Sequence, residues 1–129
     1  LVKDPARLVA VYDDAAGVTA AFDRNALLVM NRELWADFDP DAFAHVAHWD
    51  PDEAWIEMRL VALAPQQVRI AALDLDLRLD EGEWIRTEIS SKFTLDGIRD
   101  ELWEVGLVAE QQWSDDAGDF LLTLAHPYC

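Results

Sequence analysis

One cysteine, Cys129, stands in the 129 residues. A single thiol can neither close an internal disulfide nor form a thiolate metal site. Basic residues are scarce: 10 Lys and Arg face 26 Asp and Glu, a formal charge of −16. Such a surface repels phosphate backbones and anionic headgroups, so neither nucleic acid nor a membrane is expected as a partner. No apolar run approaches the ~20 residues of a spanning helix, and the opening does not read as a signal peptide. A cytoplasmic location is the expectation. Glycine-rich phosphate loops are missing too, with neither a Gly-x-Gly nor a P-loop pattern. The five glycines and five prolines are scattered, so no linker stands out, and no repeat is visible. What remains is 52% hydrophobic and 28% charged, the balance of one globular α+β domain.

Periodicity divides that domain into helix, strand and helix again. Residues 4–14 suit a helix, with Leu8 and Val11 at i and i+3. A longer helix is predicted from about Ala16 to Trp35, where Ala21, Leu28 and Trp35 recur every seven residues beside a row of Phe22 and Val29. The segment Asp37-Phe38-Asp39-Pro40-Asp41 breaks it. Strand alternation follows at Ile56, Met58 and Leu60. Val68 and Ile70 lie on even positions and Leu73, Leu75, Leu77 and Leu79 on odd ones. This change of parity at Ala71-Ala72 predicts a β-bulge. Trp84 to Ser91 reads as a further strand. Thr94 caps a helix with Leu95, Ile98, Leu102 and Val105 on its stripe and Gly106 after its end. A hairpin of strands 107–113 and 120–125 closes the chain, and the last strand, apolar on both faces, is expected inside a covered sheet.

Few residues point to chemistry. His45 and His48 lack a third metal ligand, and on a strand they face opposite ways, so they read as core or rim residues. Asp74 and Asp76 lack the glycine and terminal glutamate of a calcium loop and read as a solvated face. Ser90-Ser91 has neither a nucleophile elbow nor a nearby histidine. No catalytic and no metal-binding residue is therefore assigned. Glu88 and Ser90 alternate onto one side of their strand, an acceptor beside a donor-acceptor. Such a pair suits a ring offering one N–H and one lone-pair nitrogen, as neutral imidazole does. A strand face open to solvent fits the same pattern. In Tyr12-Asp13-Asp14-Ala15-Ala16-Gly17-Val18-Thr19, a helix junction can bring Tyr12 and Thr19 together, and ordinary helix–turn–helix punctuation fits equally.

Several segments share one resemblance. Leu1-Val2-Lys3-Asp4-Pro5, residues 10–22, 27–34, 56–60, Thr87-Glu88-Ile89-Ser90-Ser91-Lys92-Phe93 and Asp116-Ala117-Gly118-Asp119-Phe120 resemble the histidine Nα-methyltransferases of ergothioneine biosynthesis. The likeness runs along essentially the whole chain. It implies an S-adenosylmethionine-dependent enzyme that trimethylates the α-amino group of L-histidine to hercynine. It also implies a substrate-recognition lobe of helices and antiparallel sheet at residues 1–93. Residues 94–129 would then be the last helix and strand hairpin of a class I, Rossmann-like core whose remainder is absent. Tyr12 matches the tyrosine that helps hold the histidine carboxylate, Met58 a residue packing near the imidazole, and Glu88 with Ser90 the pair that reads its nitrogens. Thr19 lies in a matching segment.

The family's S-adenosylmethionine loop, and an asparagine that also grips the substrate, lie upstream of the matched region. The chain by itself is therefore expected to hold no cofactor and to be inactive. The opening at Leu1 reads as the later part of a longer protein. A stand-alone acidic α+β binding or interaction module without catalysis is the alternative. Open strand edges at residues 107–125 lead to an expectation of self-association for the isolated chain.

Overall fold

Pro5 opens the first helix, where its missing N–H would have had no intrahelical partner. Helix α1 runs Pro5–Tyr12 and α2 Val18–Leu34. In the computed structural model residues 1–128 are described; Cys129, on which the disulfide argument turns, lies outside them. The chain divides into two units, Pro5–Ser90 and Leu1–Asp4 with the residues from Ser91 onward.

In the larger unit, α2 is followed by strands β1 (Phe43–Asp50), β2 (Trp55–Ala62), β3 (Gln66–Ile70), β4 (Leu75–Leu79) and β5 (Trp84–Ser91). Strands β1 and β2 pair antiparallel from Phe43 opposite Ala62 to Asp50 opposite Trp55, and β5 lies on the other side of β2. Leu27, Phe38, Phe43, Leu60, Ala62, Val68 and Ile70 form the main core, and Leu8, Ala47 and Ile56 a second cluster under α1. Strand β1 has no counterpart in the periodicity analysis, because His45 and His48 interrupt its apolar alternation.

The seven-residue recurrence marks the helix and not its buried face. The row Ala21, Leu28 and Trp35 is not the buried face of α2: Leu28 is 51% and Trp35 74% exposed, whereas Leu27 is fully buried with Met30 and Leu34 packed beside it. This helix carries apolar residues on several faces, and periodicity alone does not say which face meets the sheet. The parity change after Ile70 is not a bulge. A 3-10 turn at Ala71–Leu73, ending in Asp74 at φ 50°, reverses the chain so that β3 and β4 form an antiparallel hairpin with Val68 opposite Leu77. Arg69 bonds both Asp74 and Asp76, which accounts for the two carboxylates on one side.

The smaller unit contains α3 (Leu95–Glu104), β6 (Leu107–Ser114) and β7 (Leu121–Pro127). Thr94 Oγ1 accepts from the Gly97 amide at 3.0 Å, and Gly106 follows the helix at φ 80°, the end signals expected. Strands β6 and β7 form a two-stranded antiparallel sheet. Among the described residues the last strand is not inside a covered sheet, since Leu122, Leu124 and Trp113 are exposed.

The two faces of α2 make a direct test. Leu27→Ala should cost about 2–5 kcal/mol, whereas Leu28→Ala should stay within about 0.5 kcal/mol. Urea unfolding of the two variants measures both. Equal losses would show that the buried face is wrongly assigned.

Candidate functional site

Tyr12 ends α1, and its hydroxyl lies 2.8 Å from Ser90 Oγ near the end of β5. Between α1 and α2 the chain turns through Gly17 at φ 70°, a conformation that favours glycine. Asp14 organises this turn by accepting from the amides of Val18 at 3.0 Å and Thr19 at 2.8 Å, two donors a helix start leaves unpaired. These bonds, led by the Thr19 amide, hold the Asp14 carboxyl at about 2.

The two helices and the sheet together line a cleft of about 300 Å³, at the small end of ligand pockets. Tyr12, Thr19, Met58 and Glu88 line it, four of the five residues singled out for substrate binding. Ser90 joins them through its bond to Tyr12. Val11, Val18 and Phe22 supply apolar wall. Sequence reasoning did not single out these three for the site; the signal available was their position flanking Tyr12 and Thr19. Met58 is 2% exposed, while Glu88 is exposed at the rim. The expected alternation holds along β5 as far as Glu88 and then shifts, with Ile89 exposed and Ser90 half-buried. Thr87 and Ser90 consequently both bond to residues of the helices.

Beneath the cleft is a buried polar group. Asp23 on α2 is 4% exposed; its carboxylate meets His45 Nδ1 at 2.8 Å and the Thr87 hydroxyl. His45 Nε2 reaches the Tyr12 carbonyl at 2.7 Å, and Thr87 Oγ1 lies 3.0 Å from the Met58 carbonyl. His45 is thus a core histidine, and His48 is exposed. Elsewhere on the sheet Glu57 is buried and accepts from Trp55, Arg59 and Arg86, with the Arg59 bond foremost in holding its carboxyl below the usual range. A carboxylate so fully engaged is a structural anchor and not a free base. No group of three metal-ligating side chains converges among the described residues. Among the described residues no helix is long and apolar enough to cross a membrane.

A narrow cleft with apolar walls and a carboxylate and two hydroxyls at its edge is the type of site that takes a small, polar-ended ligand. Comparison with known proteins sharpens this. Residues 1–127 match the family described as histidine-specific methyltransferase, SAM-dependent. The chain is 58% identical over 125 residues to the histidine N-alpha-methyltransferase of Mycolicibacterium smegmatis and 55% identical over 125 residues to that of Mycobacterium tuberculosis. Each match covers 97% of this chain and 39% of the relative. The chain belongs to the histidine-specific, S-adenosylmethionine-dependent methyltransferase family, and it spans about two fifths of the length of these curated relatives.

The low value for Asp14 predicts where the turn weakens. A depressed carboxyl stabilises the fold above its ordinary value of 3.8 and loses that contribution as pH falls through about 2. Asp14 should titrate near 2 by NMR. In Asp14→Ala the Val18 and Thr19 amides should exchange faster with solvent, and unchanged protection would contradict the role given to Asp14.

Proposed function

We propose that this chain is the substrate-recognition part of an S-adenosylmethionine-dependent enzyme that trimethylates the α-amino group of L-histidine, giving hercynine for ergothioneine biosynthesis. In this reading residues 1–93 are the recognition lobe and residues 94–129 the last helix and strand hairpin of a class I methyltransferase core. The observation that carries it is the gathering of Tyr12, Thr19, Met58 and Glu88 around one cleft, with Ser90 bonded to Tyr12.

The chemistry of the cleft suits the ligand. The Glu88 carboxylate can accept the imidazole N–H, and the Ser90 hydroxyl can donate to the other ring nitrogen. Ser90 has one proton, so donating it to the ring requires that Tyr12 either donates to Ser90 or lets go of it. A turn of the Tyr12 hydroxyl towards the substrate carboxylate, the role the resemblance implies, would break its bond to Ser90. Met58 and Phe22 supply the apolar flanks of an imidazole slot. Discrimination then rests on polar groups that a wrong side chain would leave unpaired.

S-adenosylmethionine would supply an electrophilic methyl group. The residues of this chain do not fit its binding, for no glycine-rich strand–turn–helix exists to cradle a nucleoside. That task is assigned to the portion of the longer relatives that this chain does not span. The lobe's own part is to hold the amine in line for transfer. The apolar groove of about 610 Å³ lined by Phe93, Ile98, Leu102, Phe120 and Leu121 fits a surface covered by the rest of such a core.

In the full-length protein, Glu88→Ala should lower kcat/KM for histidine roughly 10- to 150-fold, the loss of one charged hydrogen bond of about 1.5–3 kcal/mol. Affinity for S-adenosylmethionine should stay within about twofold, since uniform loss belongs to global damage. Equal loss of both would count against the assignment. The isolated chain should give no heat of S-adenosylmethionine binding in calorimetry, and micromolar binding would overturn the division of labour.

A further inference from the structure

We propose that His45 is a positioning residue for the histidine cleft, holding both of its walls in place from beneath. This rests on the histidine-binding reading of that cleft. The ring touches no substrate in this account. Its side chain is 2% exposed, and it is not among the residues that line the cleft.

A helix of eight residues, such as α1, has little cooperative stability of its own, and the carbonyls of its last turn lack intrahelical donors. Tyr12 is the last residue of that helix, and His45 Nε2 donates to its carbonyl at 2.7 Å. A carbonyl only accepts, so Nε2 carries a proton. On the other side of the ring, Nδ1 meets Asp23 Oδ2 at 2.8 Å, a pair that requires one further proton between them. The pair is therefore neutral overall wherever that proton resides, and its orientation is set, because turning the ring over would put ring carbons in place of both nitrogens and break both bonds.

The second oxygen of Asp23 extends the link. It bonds the Thr87 hydroxyl on β5, which also lies against the Met58 carbonyl on β2. Thr87 immediately precedes Glu88, and Met58 itself lines the cleft. One buried ring thus joins the residue bearing the Tyr12 hydroxyl to the strands bearing Glu88, Ser90 and Met58. A buried polar network that is fully satisfied rigidifies the elements it joins, and removing one member leaves the others unpaired at a cost. Breaking it lets Tyr12 move relative to Ser90 without removing any group that meets the ligand.

Two substitutions separate positioning from mere stability. In the full-length protein, His45→Asn keeps an amide donor near the Nδ1 position for Asp23 and loses the reach to Tyr12. His45→Gln keeps a donor near the Nε2 position. His45→Asn should raise KM for histidine roughly tenfold or more, with KM for S-adenosylmethionine unchanged at a temperature where the variant is folded. His45→Gln should recover part of that loss. A folded His45→Asn with histidine KM within twofold of the parent overturns the proposal, as does a uniform loss in both substrates. If His45→Asn does not fold, Thr87→Val and Thr87→Ser decide: a raised histidine KM in the first, restored in the second, supports the proposal, and parental KM in both refutes it. Failure of the parent protein to methylate histidine sinks the substrate reading and this inference together, whereas a normal parent with unaffected variants sinks this inference alone.

Discussion

The unit that bears the cleft depends on one buried interaction, the Asp23–His45 pair. Placing a carboxylate on the inner face of α2 is costly unless each oxygen finds a donor. Here the imidazole and the Thr87 hydroxyl supply them, and the imidazole Nε2–H donates to the Tyr12 carbonyl. Four elements meet at these atoms: α1, α2, β1 and β5. The apolar core around Leu27 and Phe43 supplies most of the burial, but it is not directional. The polar group under the cleft specifies how the helices are seated over the strands.

The site follows from that seating. Asp14 closes the turn between the helices and presents Thr19 at the start of α2, while the end of α1 presents Tyr12 to Ser90. Glu88 stands at the rim, and Met58 lies deep in the sheet. An opening flanked by Val11, Val18 and Phe22 is suited to a small aromatic ring with polar ends. The charge of −16 has no part in this recognition, which rests on a few placed groups.

Much of the element order was legible in the sequence. Pro5, Gly17, Thr94 and Gly106 mark turns and helix ends whose local chemistry is self-contained, and the strands at Ile56–Leu60 and Trp84–Ser91 show clear alternation. Strand β1 was not legible, because a buried histidine with two partners looks polar in any periodicity count. The buried face of α2 was not legible for a related reason: Asp23, the residue aligned with Leu27 on the buried side, is charged. The hairpin at Ala71–Leu73 looked like a bulge since both change parity, and only the reversal of direction separates them. Glu88 and Ser90 were visible as a pair of polar neighbours, yet their relation to Tyr12 depends on tertiary contacts that spacing does not carry. Resemblance drew these residues together before geometry could.

The most direct test of this account is the protonation of His45, read from the 15N shifts and proton couplings of its ring in the full-length protein. The expected result is a proton on Nε2, donated to the Tyr12 carbonyl, with Nδ1 hydrogen-bonded to Asp23. A ring carrying its only proton on Nδ1, with Nε2 bare, cannot donate to the Tyr12 carbonyl and would contradict it.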